Sequence, residues 1–332
     1  MKTILMHQPG PAEVLQYATA PLPELPSASH VRVRLQAVGV NPVDTKLRKG
    51  GTYFPERLPV ILGCDGAGVV DGVGSAVTRV RPGDAVFFMN GGIGGEPGNY
   101  SEFTTVHEEY VAAKPAQLDM VHAAALPLVL ITAWEALFER AGLQAGQTVL
   151  IHAAAGGVGH VAVQLARNAG ARVAVTVSGA EKADLARRLG AEKIIDYRRE
   201  DFAQAALEWT GGAGVDVVFD TVGGATFCAS FAAAKVYGKI VTLLQSECSA
   251  ADLKLARTRN QSIHYELMLT PMLLGMHAAR VAQRKMLEAA AQMVEAGRLE
   301  VVVGCTFPLE QAAEAHRLVE AGHLAGKIVL IP

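Results

Sequence analysis

The stretch Gln147-Thr-Val-Leu-Ile-His-Ala-Ala-Ala-Gly-Gly-Val-Gly-His160 restricts what this chain can fold into more than any other. Thr148 to His152 is a short, mostly apolar run without helical period, the pattern of a strand buried on both faces. Ala153, Gly156 and Gly159 come next with the spacing A-x-x-G-x-x-G, and Val161-Ala-Val-Gln-Leu-Ala166 begins a helix. A tight strand-to-helix turn needs small residues if a pyrophosphate is to reach the backbone. The helix then offers that phosphate its unpaired N–H groups and the positive end of its dipole. This is the dinucleotide-binding fingerprint with Ala in place of the first Gly. A string of small residues can also serve packing alone, so the flanking chain has to decide.

The flanks alternate. Strands are predicted over 172–177, 193–196, 215–220 and 239–244, separated by helices over 181–189, 201–209 and near 226–234. Such alternation makes a parallel, doubly wound sheet, because right-handed crossovers cover both faces. The fingerprint occupies its first strand-to-helix turn, where such sheets bind dinucleotides. Ala155, Gly156, Gly157, Val158 and Gly159 are therefore cofactor-binding candidates.

Residues 1 to about 110 read differently. Val31-Arg-Val-Arg-Leu-Gln-Ala-Val38 alternates like a half-buried strand. Short runs at 69–74, 77–84 and 85–88 are separated by Gly, Pro and Asp, which suggests a compact barrel. Asn90-Gly-Gly-Ile-Gly-Gly-Glu-Pro-Gly98 looks like a phosphate loop, but Tyr100-Ser-Glu-Phe-Thr-Thr-Val106 beyond it alternates like a strand, so a mobile surface loop is expected. Helical character over 122–140, around Pro127, leads into the fingerprint strand. A long amphipathic helix over 280–297, a strand over 299–303, a helix over 309–321 and a strand over 327–331 close the chain. They are expected to return to the first domain.

The acid that would hold an adenosine ribose 2′-hydroxyl, about 20 residues past the fingerprint, is absent; Ser178 stands there, in Val177-Ser-Gly-Ala-Glu-Lys182. A hydroxyl and a nearby ammonium suit a 2′-phosphate, which would repel a carboxylate. NADPH is the expected cofactor, although Lys182 also fits an ordinary surface lysine. Bulk properties narrow the rest. Half of the 332 residues are apolar, which excludes global disorder, and a formal charge of −2 gives no case for nucleic acid or an anionic membrane. Cys64, Cys228, Cys248 and Cys305 lack paired spacing, which argues for a reducing compartment and against a disulfide framework. The first residues lack the apolar core of a signal peptide, and the 123–134 stretch is too short to span a bilayer. A cytoplasmic protein without membrane partners is expected.

Several further motifs occur together: Gly39-Val-Asn-Pro-Val-Asp44, Leu62-Gly-Cys-Asp-Gly-Ala-Gly68, Val80-Arg-Pro-Gly-Asp84, Leu130-Ile-Thr-Ala-Trp134, Val218-Phe-Asp-Thr-Val-Gly-Gly224 and Ala315-His316…Gly326-Lys327. With the fingerprint they make the chain resemble, over essentially its whole length, the zinc-independent quinone oxidoreductase (ζ-crystallin-like) branch of the medium-chain dehydrogenase/reductase superfamily. The resemblance implies a GroES-like β-barrel domain over 1–123 and 272–332, interrupted by a Rossmann domain over 124–271, and a homodimer. Zinc-dependent relatives carry metal ligands where this chain has Asn41, Cys64 and Asp65, and one thiol with one carboxylate is not a three-ligand set, so no metal is expected. Without a Lewis acid, hydride from NADPH suits a quinone or an enone, which spreads the incoming charge within itself.

The resemblance also implies that Asn41 lines the nicotinamide and substrate cleft, that Thr132 contacts the cofactor, and that Ser178, Lys182 and Tyr197 grip the 2′-phosphate. Tyr197 could equally pack beside the adenine. Val222, after the fourth strand, and Leu243, at the end of the fifth, complete the expected cofactor set. Tyr53 is the candidate proton donor, or else part of an aromatic lid; Asp44 is expected to cap local structure. Two departures stand out: no Gly follows the fifth strand in Val241-Thr-Leu-Leu-Gln-Ser246, and Lys46 occupies a position of the usual tyrosine lip. An enoyl-thioester reductase and a largely non-catalytic NADPH- or RNA-binding protein are the alternative readings.

Overall fold

Six parallel strands form where the apolar runs alternate with helical stretches. A computed structural model describes residues 1–322 and 324–332. Residues 132–268 and 298–300 make one unit; residues 1–131, 269–297 and 301–332 make the other.

In the first of these, chain order is β1 (Thr148–Ile151), α1 (Gly157–Asn168), β2 (Arg172–Val177), α2 (Ala180–Leu189), β3 (Lys193–Asp196) and α3 (Phe202–Trp209). It continues through β4 (Val215–Asp220), α4 (Gly224–Ala233), β5 (Ala234–Thr242), α5 (Ala250–Thr258) and β6 (Ser262–Tyr265). The sheet order is β3-β2-β1-β4-β5-β6, parallel throughout. The chain winds outward from β1 to β3 and then crosses to β4 on the other side, so the direction reverses between β1 and β4. Val173, Ala174, Val175 and Val177 are all buried, as expected where helices cover both faces of a strand. On one face Leu150, Ala174, Val218 and Ile240 pack with Phe227 and Phe231 of α4. Burying side chains of this size contributes about 1.5–3 kcal/mol each, and that burial holds the helices on the sheet.

The β-rich unit carries a seven-stranded sheet in which Val303–Pro308 pairs with Lys327–Ile331, then His30–Val40, Asp65–Val73, Ala85–Met89 and Ala112–Ala113; Phe103–His107 pairs with His30–Val40 as well. Helices Pro42–Gly50, His277–Glu295 and Ala312–Ala321 belong to this unit. Among the described residues no helix is long and apolar enough to cross a membrane.

Four expectations need correction. The run 299–303 is not a strand: Leu299 and Val301 are buried without pairing, and the ladder begins at Val303, opposite Lys327. The run 77–84 is not a strand either, because the Asp84 carboxylate accepts from Arg81 N–H and closes a turn around Pro82. The Gly-rich segment 90–98 is no surface loop. Gly91 to Gly94 are buried, and a Cβ on Gly92 would stand 2.6 Å from the Gly63 carbonyl oxygen, so glycine serves close packing there. Finally, the cysteines are not all thiols: Cys228 and Cys248 form a disulfide, while Cys64 and Cys305 are free. Spacing could not announce it, because the end of α4 and all of β5 lie between the two cysteines in the chain.

Candidate functional site

At the end of β1 the backbone turns sharply. Ala153 has φ 52°, in the left-handed region, and Gly156 caps α1. A Cβ on Gly159 would lie 2.3 Å from the Ala153 carbonyl oxygen, so only glycine lets the first turn of α1 pack on the loop. Ala155 is buried, whereas Gly156, Gly157 and Val158 are half-buried and leave the start of α1 reachable. Twelve residues of helix direct their positive end here.

The adjoining loop after β4 is fastened by Asp220. Its buried carboxylate accepts from Val222 N–H and Gly223 N–H, each 3.0 Å, and from Thr242 Oγ1, 2.7 Å. Thr221 Oγ1 donates to the His152 carbonyl (2.9 Å), which ties this loop to the end of β1 across the reversal point. Val222 is 46% exposed, and Leu243, half-buried, donates its N–H to the Asp220 carbonyl. Ligands of open parallel sheets bind outside the carboxyl ends of strands at such a reversal.

One strand further out, Lys182 Nζ lies 3.4 Å from Ser178 Oγ, and Tyr197, 52% exposed, donates its N–H to the Val177 carbonyl. The structure thus gathers the 155–159 turn, Val222, Leu243, Ser178, Lys182 and Tyr197 along one edge of one sheet. Thr132 is buried in the helix Pro127–Trp134.

Asn41 and Tyr53 belong to the β-rich unit. Asn41 is fully buried. Its Nδ2 donates to Asp65 Oδ2 (2.9 Å), and its Oδ1 accepts from the Lys327 ammonium. Lys327 Nζ also donates to the Val40 carbonyl (2.9 Å) and lies 3.5 Å from Asp65 Oδ2. Burial pushes the Lys327 ammonium down and the Asp65 carboxyl up, against their mutual attraction. Asp44 accepts from Asn41 N–H (2.8 Å) and from Tyr100 OH (3.1 Å); burial raises it to about 7. It caps the helix, as expected. Cys64 is buried with its thiol pushed well up, first by burial and then by Asp44 and Asp65. Tyr53 is 41% exposed and donates its N–H to the Ile93 carbonyl.

Lys327 and Asp220 stand within motifs, yet one sequence gives them no role, since nothing in it tells which distant group a buried charge will meet. His152 reads in sequence as one more residue of a strand. Its ring is buried between Thr176 Oγ1 (3.1 Å) and Ser230 Oγ (3.0 Å). Ser230 spends its proton on the Thr226 carbonyl, so His152 Nε2 carries the hydrogen and Nδ1 accepts from Thr176.

Two family models match the chain: the alcohol dehydrogenase GroES-like domain over residues 27–116 and the zinc-binding dehydrogenase over residues 189–330. A quinone oxidoreductase of Pseudomonas aeruginosa is 36% identical and covers 97% of each chain. A 2-haloacrylate reductase of Burkholderia sp. is 35% identical over 92% of each. The crystal structure of Escherichia coli quinone oxidoreductase complexed with NADPH superposes with a TM-score of 0.87 at 30% identity, covering both chains entirely.

Proposed function

Because the chain belongs to the quinone oxidoreductase branch of the medium-chain dehydrogenase/reductase superfamily, we propose that it binds NADPH and reduces a quinone or an α,β-unsaturated carbonyl without zinc. The observation that carries the reading is the Lys182–Ser178 pair beside Tyr197 at the end of β2, with no carboxylate at the position after the strand. The ammonium and the Ser178 hydroxyl would donate charge-assisted hydrogen bonds to a 2′-phosphate there, with Tyr197 at the end of the neighbouring strand. The amides of 155–159 would hold the pyrophosphate, and Val222, Leu243 and Thr132 the nicotinamide half. NADPH supplies a hydride at its nicotinamide; the chain must orient the acceptor and deliver a proton.

The residues standing where zinc-dependent relatives hold metal do not fit a metal ion. Asn41 Oδ1 and Asp65 Oδ2 face a lysine ammonium that already occupies the place of a cation. Cys64 is the remaining soft ligand, and burial beside two carboxylates opposes the thiolate that zinc requires. Without a Lewis acid, charge arriving on an isolated ketone has no partner, whereas a conjugated acceptor delocalises it. Quinones and haloacrylates share that conjugation, which agrees with the names of both relatives. Asn41, its side chain oriented by Asp65 and Lys327, is the residue that the family resemblance puts beside the nicotinamide and the substrate. Tyr53, exposed and bearing a hydroxyl, is the residue left to donate to a substrate oxygen.

Steady-state turnover of a benzoquinone, an enone and an enoyl-CoA, each with NADPH and with NADH, tests the proposal. NADPH-dependent reduction of the quinone or the enone is expected. Preference for NADH, or turnover of the thioester alone, would overturn it.

A further inference from the structure

We propose that Cys228 and Cys248 form a redox-modification site that sets how well the NADPH edge of the sheet is ordered; the proposal rests on the cofactor reading above. Cys228 lies in α4, whose first residue, Gly224, ends the loop after β4. Cys248 lies in the segment 243–249, which leaves β5 and enters α5. The disulfide therefore joins the two segments that follow β4 and β5. They interlock directly beside it: Gly224 N–H donates to Ser246 Oγ (2.8 Å), and a Cβ on Gly223 would stand 2.8 Å from Leu244 Cδ1. Val222 and Leu243, the expected nicotinamide contacts, sit on these same two segments. Ser246 is two residues from Cys248, so the bond holds the hydrogen bond that orders Gly224.

Access to the bond is one-sided. Cys228 is 9% exposed within the apolar cluster, whereas Cys248, which packs against that cluster, is half-buried. A lone crosslink of this kind, in a chain whose other cysteines are thiols, fits a reversible role better than a framework. Reduction needs a dithiol. One thiolate of the dithiol attacks the Cys248 sulfur, the Cys228–Cys248 bond breaks, and Cys228 leaves and takes a proton. The reductant's second thiol then displaces Cys248, which takes a proton, and the dithiol departs as a cyclic disulfide. Two electrons and two protons enter the protein; a disulfide oxidant reverses the step.

Fluorescence titration with NADPH, and amide hydrogen exchange, are compared for protein equilibrated with oxidised glutathione, for protein reduced by dithiothreitol, and for Cys248→Ser. Reduction is expected to raise the NADPH Kd by about fivefold or more, the lower end of ordinary coupling between two sites. It should also speed exchange across 222–224 and 243–248 but not in β2. Cys248→Ser should match the reduced protein and no longer respond to dithiothreitol, while Cys305→Ser should respond as wild type does. Equal Kd in both redox states would overturn the switch, as would four alkylatable thiols after the oxidative treatment. NADPH binding in neither state would instead overturn the cofactor reading, and the switch with it; the exchange data tell the cases apart.

Discussion

In the proposed cofactor reading, the Lys182 ammonium beside Ser178 is the group that would favour a 2′-phosphate. Lys182→Ala should weaken NADPH by roughly 1.5–3 kcal/mol, the range for a hydrogen bond to a charged group, and leave NADH nearly unchanged; paired titrations would show equal losses if the lysine were an ordinary surface residue. Tyr53 tests the proton. Tyr53→Phe keeps the ring, so a lid would preserve turnover of both substrates. A donor would lose enone reduction by about 10²-fold or more, with quinone reduction falling less because a quinol anion can wait for solvent. His152 contributes to the acid response of the sheet unit. Burial holds it near 4, below the ordinary 6.5. Between those values the unfolded chain binds a proton that the folded one refuses, so stability falls as pH falls, by about 3 kcal/mol at the lower end. In the β-rich unit, His316, pushed to about 3 by burial, acts in the same direction, whereas Asp44, raised to about 7, acts in the opposite one. His152→Asn should therefore flatten the acid limb of β1 and β2 stability, read as amide exchange in those strands between pH 4 and 7.

The turn between β1 and α1 is built against its own sequence. Ala153 adopts a left-handed φ of 52° that glycine would adopt without strain. Ala153→Gly should raise stability by about 1 kcal/mol, measured by urea midpoint, since a residue with Cβ costs about 1–2 kcal/mol there. Gly159→Ala should do the reverse and abolish cofactor binding, because its Cβ meets the Ala153 carbonyl. Most of this unit was legible in the sequence, because apolar runs and helical stretches alternate at periods set by local geometry. β1 to β4 and their helices lie within a few residues of the expected bounds, and the gathering of Ser178, Lys182 and Tyr197 follows from strand order. What was illegible depends on distant partners. Leu299 and Val301 are apolar like strand residues, but no neighbouring strand pairs with them. The 90–98 segment has the composition of a free loop, yet Gly63 and Thr52 press against it. Asn41 matches a site position by motif, and its contact with Lys327, 286 residues away in the chain, could not be read from that motif.

The whole assembly is expected to be a homodimer joined through β6. Among the described residues that strand pairs only with β5, and apolar side chains stand exposed around it: Tyr265 is 60% exposed, Tyr237 71%, and Ile263 and Val236 are exposed too. An open edge of this kind invites pairing with a second copy under two-fold symmetry. Light scattering should give a dimer, and Ile263→Lys with Tyr265→Lys a monomer; a wild-type monomer at all concentrations would rule this out. The Lys327 contact has a consequence for biosynthesis. Lys327 meets the Val40 carbonyl across 287 residues of chain, and its strand pairs with His30–Val40. While the ribosome is still making the sheet unit, the buried carboxylates of Asp44 and Asp65 therefore await their counter-ion. The part of the chain translated first is thus expected to fold second. Ribosome-arrested chains ending at residue 300 should carry a protease-resistant 132–268 segment, while residues 1–131 and 269–297 stay protease-sensitive.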